Sequence, residues 1–133
     1  MTVHLLEKEA EKYPEHVRQH VIGEIDGKSE GPRIIAIAGL HGNEPTGVQA
    51  LEDLMEILLP YENEVNGSLL MLKGNTEALK VNRRFIHEDM NRLWRTSILD
   101  KIRRTDRDNL ATVERKMVKD LLDIMDPLIL NHD

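Results

Sequence analysis

Residues 34–45 decide the fold of this chain, and they read Ile-Ile-Ala-Ile-Ala-Gly-Leu-His-Gly-Asn-Glu-Pro. The first five residues form an unbroken apolar run, which is typical of a parallel strand that is buried on both faces. Glycines and polar residues follow, and Pro45 fits the first turn of a helix. The segment therefore predicts a buried strand, a short loop and a helix, in that order.

The rest of the sequence continues this alternation of apolar runs and helical patterns. Further strands are expected over residues 68–73 and 128–130, and helices over residues 45–59, 76–79, 93–103 and 109–125. The polar residues between Arg83 and Arg92 are expected to be irregular. The pattern predicts the α/β class, with a mixed, largely parallel sheet flanked by helices.

The N-terminal part of the chain has a different character. Residues 5–20 are mostly polar, and His20 among them is expected at the surface. Residues 17–25 are expected to form an edge strand. We therefore predict a polar leader with an edge strand over residues 1–31, and a single domain over residues 32–133.

The composition is that of one globular domain. The chain has 133 residues, 40% of them hydrophobic and 32% charged, which is enough for one core and too short for two. It has no cysteine, which excludes disulfides and thiolate metal sites and fits a reducing compartment. No apolar segment has the length of a membrane span or the pattern of a signal peptide, so we expect a cytoplasmic protein without a membrane partner.

The charge of the chain argues against nucleic acid as a partner. The formal net charge is −6, and an acidic protein repels a phosphate backbone. The basic residues from Lys101 to Arg107 alternate with aspartates, which predicts a solvated surface of mixed charge. Nothing in the sequence indicates an oligomeric state.

His41 and Glu44 are the strongest candidates for metal ligands. They lie three residues apart in a loop after a predicted strand, and sites in α/β sheets form at the carboxyl ends of strands. Zinc accepts an imidazole nitrogen and a carboxylate oxygen, and Gly42 allows the backbone to bend tightly between them. A His-x-x-Glu pair alone is common and usually has no function. Its position between a strand and a helix is what favours a metal site.

His132 is a candidate for the third ligand. It follows the predicted strand over residues 128–130, which would bring it to the same edge of the sheet as His41. The alternative is that His132 belongs to a frayed terminal segment.

Arg84, Asn91 and Arg92 are candidates for binding a carboxylate. A guanidinium group pairs with a carboxylate through two hydrogen bonds, and near a metal it can also stabilise an oxyanion. Asn91 would add a neutral hydrogen bond, and Asp89 would orient Arg84 or Arg92. Without the metal segment, the arginines would be read as ordinary surface charges.

Four motifs carry a resemblance to a known family: Gly39-Leu40-His41-Gly42-Asn43-Glu44, Gly74-Asn75, Arg84-Phe85-Ile86 and Asp89-Met90-Asn91-Arg92. In this order and spacing they strongly resemble the succinylglutamate desuccinylase/aspartoacylase family. The resemblance covers roughly residues 34–133. It implies a zinc carboxypeptidase-like fold, a Zn²⁺ cofactor and a small N-acyl amino acid as substrate.

The resemblance also implies a role for each matching residue. His41 and Glu44 match the first two zinc ligands of the family. Arg84 matches a catalytic and substrate-binding arginine near the scissile carbonyl, and Asn91 and Arg92 match the pair that holds the substrate carboxylate. The family's third ligand is the histidine of an Asp-Leu-His segment. Here the corresponding residues are Leu130-Asn131-His132, of which only the histidine matches.

A larger departure concerns the general base. In the family, a catalytic glutamate lies well beyond the third ligand, and the sequence given stops before such a residue; Glu88 does not match it. We therefore expect the N-terminal portion of an amidohydrolase catalytic domain, with little or no activity alone. Two alternatives stay open: a non-catalytic module that binds a metal or a carboxylate, and a structural α/β domain with a vestigial site.

Overall fold

A computed structural model describes residues 13–130 of the protein. The first part of the predicted leader and His132 therefore lie outside the described residues. The chain divides into two compact units, one containing the residues up to Ala38 and Thr46–Lys73, the other containing Gly39–Pro45 and the residues from Gly74 onward. Strands and helices are both present, which confirms the predicted α/β class.

The first unit is built on a three-stranded mixed sheet. Its strands are β1 (Val21–Asp26), β2 (Ser29–Ala38) and β3 (Asn66–Lys73), in the order β1-β3-β2. β3 is antiparallel to β1 and parallel to β2. Met71 and Leu72 on the central strand β3 are fully buried, as the apolar run there predicts.

β2 contains the apolar run of residues 34–38. The prediction that this run is buried on both faces is wrong. Ile34 is 54% exposed, and the next four residues are only half-buried. The reason is topological, because β2 lies at the edge of the sheet and, within the described residues, pairs with β3 alone. An apolar run has the same appearance in a central strand and in an edge strand.

A helix joins the two parallel strands of the first unit. After the short α1 (Glu15–Arg18), α2 (Thr46–Leu58) spans nearly the predicted residues. Its Met55 is fully buried and packs on Gly23 of β1, where a Cβ atom would lie only 2.8 Å from the methionine Cε. The missing side chain at Gly23 thus makes room for the helix on the sheet.

His20 is buried, so the prediction that it lies at the surface is wrong. Its Nδ1 atom lies 2.8 Å from the carbonyl oxygen of Lys73, and its own carbonyl accepts a hydrogen bond of 2.7 Å from the Lys73 amide. These contacts attach the segment before β1 to the end of β3. A long-range contact of this kind leaves no local pattern in the sequence.

The second unit is mainly helical. It contains α3 (Thr76–Lys80), α4 (Thr96–Arg104) and α5 (Val113–Leu130), with 3-10 turns at Met90–Arg92 and Arg107–Asn109. No helix in the described part of the chain is both long and apolar enough to cross a membrane.

Two arginines of the basic segment attach it to α5. Arg103 donates two hydrogen bonds to Asp126, of 2.9 and 3.0 Å, and Arg107 donates two to Asp120, both of 2.9 Å. Asp120 is fully buried. The prediction of a simply solvated surface is therefore wrong for Arg107, whose guanidinium compensates a buried charge.

α5 continues through Pro127 to Leu130, so the predicted strand over residues 128–130 is wrong. An apolar run of three residues has no period that separates a strand from a helix. Pro127 lies in the last turn, where it removes one backbone donor without ending the helix. The sheet-edge argument for His132 no longer applies, and its assignment as a ligand rests on the family resemblance alone.

Candidate functional site

The loop Gly39–Pro45 follows β2 directly and carries the predicted metal ligands. A Cβ atom on Gly42 would overlap the backbone of Ala78 and the carbonyl oxygen of Arg83. The Gly42 amide donates a hydrogen bond of 3.2 Å to the carbonyl oxygen of Arg84. Gly42 is therefore needed for this close backbone approach, which brings the loop next to Arg84.

The imidazole of His41 lies between two carboxylates. Its Nδ1 atom is 2.7 Å from Glu44 Oε2, and its Nε2 atom is 2.8 Å from Asp89 Oδ1. His41 and Asp89 are largely buried, whereas the side chain of Glu44 is 61% exposed. The exposed Glu44 thus contacts Nδ1 of His41, while the largely buried Asp89 contacts the other ring nitrogen, Nε2.

This arrangement suits a divalent metal. Each ring nitrogen of His41 lies within hydrogen-bonding distance of one carboxylate oxygen, Nδ1 of Glu44 and Nε2 of Asp89. His41 and Glu44 would hold a metal ion, while Nε2 of His41 keeps its bond to Asp89; a carboxylate partner of this kind is usual for a metal-binding histidine. Imidazole and carboxylate are both zinc donors. In the described residues, no three His, Cys, Asp or Glu side chains are arranged so that they could hold a metal ion together, and His132, the predicted third ligand, lies outside these residues.

Asp89 connects the predicted metal ligands to the predicted carboxylate-binding residues. Its Oδ1 atom also accepts a hydrogen bond of 2.9 Å from the Asn91 amide, and Oδ2 lies 3.7 Å from Arg84 and 3.9 Å from Arg92. Burial raises the pKa of Asp89, but the hydrogen bonds from His41 and Asn91 and the neighbouring positive charges outweigh it, so the net shift is downward. Asp89 therefore remains ionised and can orient all of these groups.

The three predicted substrate residues are exposed. The side chain of Arg84 is 52% exposed and that of Arg92 is 76% exposed, and Asn91 is also at the surface. Arg84 lies 3.8 Å from Glu44 as well as 3.7 Å from Asp89. Such distances exceed the hydrogen-bonding range. The acidic neighbours therefore hold the guanidinium groups nearby without occupying their donors, which can pair with a carboxylate ligand.

Glu114 has a prominent place in the structure and no role in the sequence-based predictions. It lies in the first turn of α5 and is fully buried. Its carboxylate accepts four hydrogen bonds of 2.8–3.2 Å, from the side-chain amide of Asn75 and from the backbone amides of Ile86, His87 and Glu88. One signal was available in the sequence, because Glu114 falls on the apolar stripe of α5 that continues with Met117 and Leu121, where a charge is unusual.

Glu88 also forms hydrogen bonds with residues at the start of α5. Its carboxylate accepts hydrogen bonds from the Arg115 guanidinium, at 2.8 and 3.3 Å, and from the Thr112 hydroxyl. Burial raises the pKa of Glu88, but these hydrogen bonds and the charge of Arg115 have a larger effect in the opposite direction. The pKa of Glu88 therefore lies below its ordinary value. Glu88 thus fixes its loop to α5.

Comparison with known proteins matches the chain to one family. Residues 30–125 match the succinylglutamate desuccinylase/aspartoacylase catalytic domain, a range that includes every site residue above except His132. The chain is similar to succinylglutamate desuccinylases of Erwinia tasmaniensis (42% identical over 64 residues, 47% of this chain and 20% of that protein) and Photorhabdus laumondii (32% over 87 residues, 62% and 27%).

The enzyme of the same name from Pseudomonas paraeruginosa is 37% identical over 70 residues, which is 53% of this chain and 21% of that protein. The chain thus spans between 20% and 27% of the length of these relatives. No solved structure matches it significantly.

Proposed function

Because the chain belongs to the succinylglutamate desuccinylase/aspartoacylase family, we propose that it forms the metal-binding and carboxylate-holding part of a zinc-dependent amidohydrolase. The reaction is hydrolysis of the amide bond of an N-acyl amino acid, which releases an amino acid and a small carboxylic acid. One observation carries the proposal: His41 and Glu44 face each other at 2.7 Å, beside Asp89 and the guanidinium of Arg84.

In this proposal His41, Glu44 and His132 hold the zinc ion. When bound there, zinc would act as a Lewis acid toward the amide carbonyl. Asp89 keeps the His41 ring oriented through its Nε2 atom, so that Nδ1 stays directed toward Glu44. The chain thereby supplies two potential zinc donors that already lie side by side.

Arg84, Asn91 and Arg92 hold the substrate. The planar guanidinium of Arg92 and the side-chain amide of Asn91 are suited to the amino acid carboxylate. Arg84, which lies nearer to Glu44, is suited to stabilise negative charge that develops on the scissile carbonyl. Oδ2 of Asp89 lies 3.7 Å from Arg84 and 3.9 Å from Arg92, so its charge attracts both guanidinium groups.

The proposal also assigns the chain to the N-terminal portion of a zinc carboxypeptidase-like domain. Two observations support it: the matched segments are 20–27% of the relatives' lengths, and the apolar Ile34 on the edge strand β2 is 54% exposed. In a larger sheet, a further strand would cover Ile34. The general base would then lie in that further part of the domain, and the chain alone would have little or no activity.

A non-catalytic module that binds a metal or a carboxylate is the second candidate. The contacts of the carboxylates nearest the site favour this candidate. Those of Glu88, Asp89 and Glu114 all accept hydrogen bonds from neighbouring groups. These groups serve structural contacts in the described residues, so none of them is placed as a general base.

Zinc titration tests the metal part of the proposal. We expect the purified chain to bind one zinc ion, and His41→Ala to abolish binding. His16→Ala, a substitution of an exposed histidine outside the site, is the matched control and should bind as the wild type does. Equal zinc content in the wild type and His41→Ala would refute the proposed site.

Ligand titration then separates the two candidates. N-succinyl-L-glutamate and N-acetyl-L-aspartate are titrated into the zinc-loaded chain, and release of the acyl group is measured in parallel. Binding that is lost in Arg84→Ala supports the carboxylate clamp in either candidate. Activity that appears on addition of the remaining part of a family catalytic domain supports the amidohydrolase, and binding without any such activity supports the module.

A further inference from the structure

The loop of residues 86–88 and the first turn of α5 are joined by reciprocal hydrogen bonds. The three backbone amides of this loop donate to the single carboxylate of Glu114. In return, the Val113 amide donates to His87 Nδ1 at 3.1 Å, and Arg115 donates to Glu88. Each residue of the loop is therefore bound to a residue of one helical turn.

The position of this loop in the chain gives the bonds their significance. Residues 86–88 lie between Arg84 and Asp89, and Asn91 and Arg92 come two and three residues after Asp89. Three consecutive amides directed at one carboxylate fix the backbone orientation across the loop. These bonds therefore set the direction in which the chain enters and leaves the loop. They also set the spacing between Arg84 on one side and Asn91 and Arg92 on the other.

Glu114 also reaches the metal loop through Asn75. The side chain of Asn75 donates to Glu114 at 2.9 Å, and its backbone amide donates to the carbonyl oxygen of Gly39 at 2.9 Å. Gly39 begins the loop that carries His41 and Glu44. One buried carboxylate thus connects to both segments of the site.

A purely structural glutamate is a poor explanation for these contacts. Burial of a carboxylate is unfavourable unless several hydrogen bonds compensate it. Burial raises the pKa of Glu114, and the hydrogen bonds from Ile86, Asn75, His87 and Glu88 together lower it below its ordinary value. All four donors belong to segments beside the site, so the carboxylate holds the backbone and side chain of these segments in place.

We propose that Glu114 is a positioning residue for the carboxylate clamp. It touches neither substrate nor metal, and acts by holding residues 86–88 so that Arg84 on one side and Asn91–Arg92 on the other face the same ligand. The inference rests on the proposed function, because it assumes that these residues bind a carboxylate.

Glu114→Gln is the direct test. The substitution keeps the side-chain length, but it places an NH₂ group opposite two of the four donors and so breaks about half of the bonds. Glu77→Gln is the matched control, because Glu77 lies at the surface of the same unit and pairs only locally with Lys80, at 2.8 Å. Both variants are compared with the wild type well below their unfolding temperatures.

Three quantities are measured on the zinc-loaded chain: the dissociation constant of N-succinyl-L-glutamate, the dissociation constant of zinc, and the NMR shifts and amide exchange rates of residues 84–92. In Glu114→Gln we expect a ligand dissociation constant raised by about 10- to 100-fold, by analogy with the loss caused by removing groups that orient metal ligands. The zinc constant should change far less, and the amides of residues 86–88 should exchange faster. Glu77→Gln should match the wild type throughout.

Other outcomes overturn the inference in identifiable ways. A lower unfolding temperature with an unchanged ligand constant would show that Glu114 only stabilises the fold. Equal loss of ligand and zinc affinity would show general damage to the site. If the wild type binds no ligand, the proposed function fails, and the NMR shifts of Arg84, Asn91 and Arg92 then decide the positioning role: displaced resonances in Glu114→Gln support it, and unmoved resonances refute it.

Discussion

His41 and Asp89, 48 residues apart in the sequence, share a hydrogen bond of 2.8 Å between Nε2 and Oδ1. This bond determines which nitrogen of the imidazole is directed to Glu44. It also places the ionised Asp89 where it attracts Arg84 and Arg92. The metal-binding and carboxylate-binding halves of the site therefore share one residue, and a change at Asp89 should affect both.

Asp89→Asn should weaken zinc binding. The amide keeps the size of the side chain and one acceptor oxygen but loses the charge that stabilises the imidazole ring. We expect the zinc dissociation constant to rise by about 10- to 100-fold, as for other partners of metal-binding histidines. Competition with a chromophoric chelator measures the zinc dissociation constant. Asp53→Asn is the control, because Asp53 is exposed and accepts a hydrogen bond from Gln49. Equal affinity in the two variants would contradict the role of Asp89.

Gly42→Ala should destabilise the second unit. The new Cβ atom would overlap the backbone of Ala78 and Arg83, which cannot move aside as a flexible side chain does. We expect a loss of about 3 kcal/mol in the free energy of unfolding, measured by urea denaturation. In Gly47→Ala the new Cβ atom meets only the Ala38 side chain, at 3.2 Å, and alanine favours the helix, so the change should be small. Similar losses in both variants would argue against the close approach at Gly42.

The sequence predicts the local parts of this protein better than the distant ones. α2 lies close to its predicted residues because its apolar period is long and regular, and β3 lies close to its own because its continuous apolar run ends at a glycine. His41 and Glu44 could be paired from their spacing of three residues. Other features depend on residues that are far apart in the sequence, and no local pattern predicts them. They are the bond from His41 to Asp89, the burial of His20 and the four hydrogen bonds of Glu114. The end of α5 was missed because three apolar residues fit either a strand or a helix.

Acid should destabilise the protein through Glu114 and Glu88. Both have a pKa below its ordinary value in the folded state, because their hydrogen bonds outweigh burial. The unfolded chain therefore binds protons more readily than the folded one. The stabilisation is fully present above about pH 4.3, the ordinary pKa of glutamate, and is lost as the pH falls through the lower folded-state values.

Unfolding free energies measured by urea denaturation between about pH 3 and pH 7 check this expectation. Glu114→Gln lacks one of the two titrations, so its free energy should fall less steeply in acid than that of the wild type. Glu77→Gln should keep the wild-type slope. A Glu114→Gln curve parallel to the wild-type curve would mean that Glu114 does not contribute to the acid sensitivity.

Ile34→Lys should reduce self-association of the isolated chain. β2 lies at the edge of the described sheet with Ile34 54% exposed, and an apolar edge strand presents unpaired backbone groups to other chains. A lysine at such an edge opposes pairing through its charge. Ile57→Lys is the matched control, because Ile57 is 63% exposed but lies on α2, where the backbone is already hydrogen-bonded. Light scattering at increasing concentration should show less association in Ile34→Lys alone. Equal suppression by both variants would mean that general hydrophobicity, rather than the strand edge, drives the association.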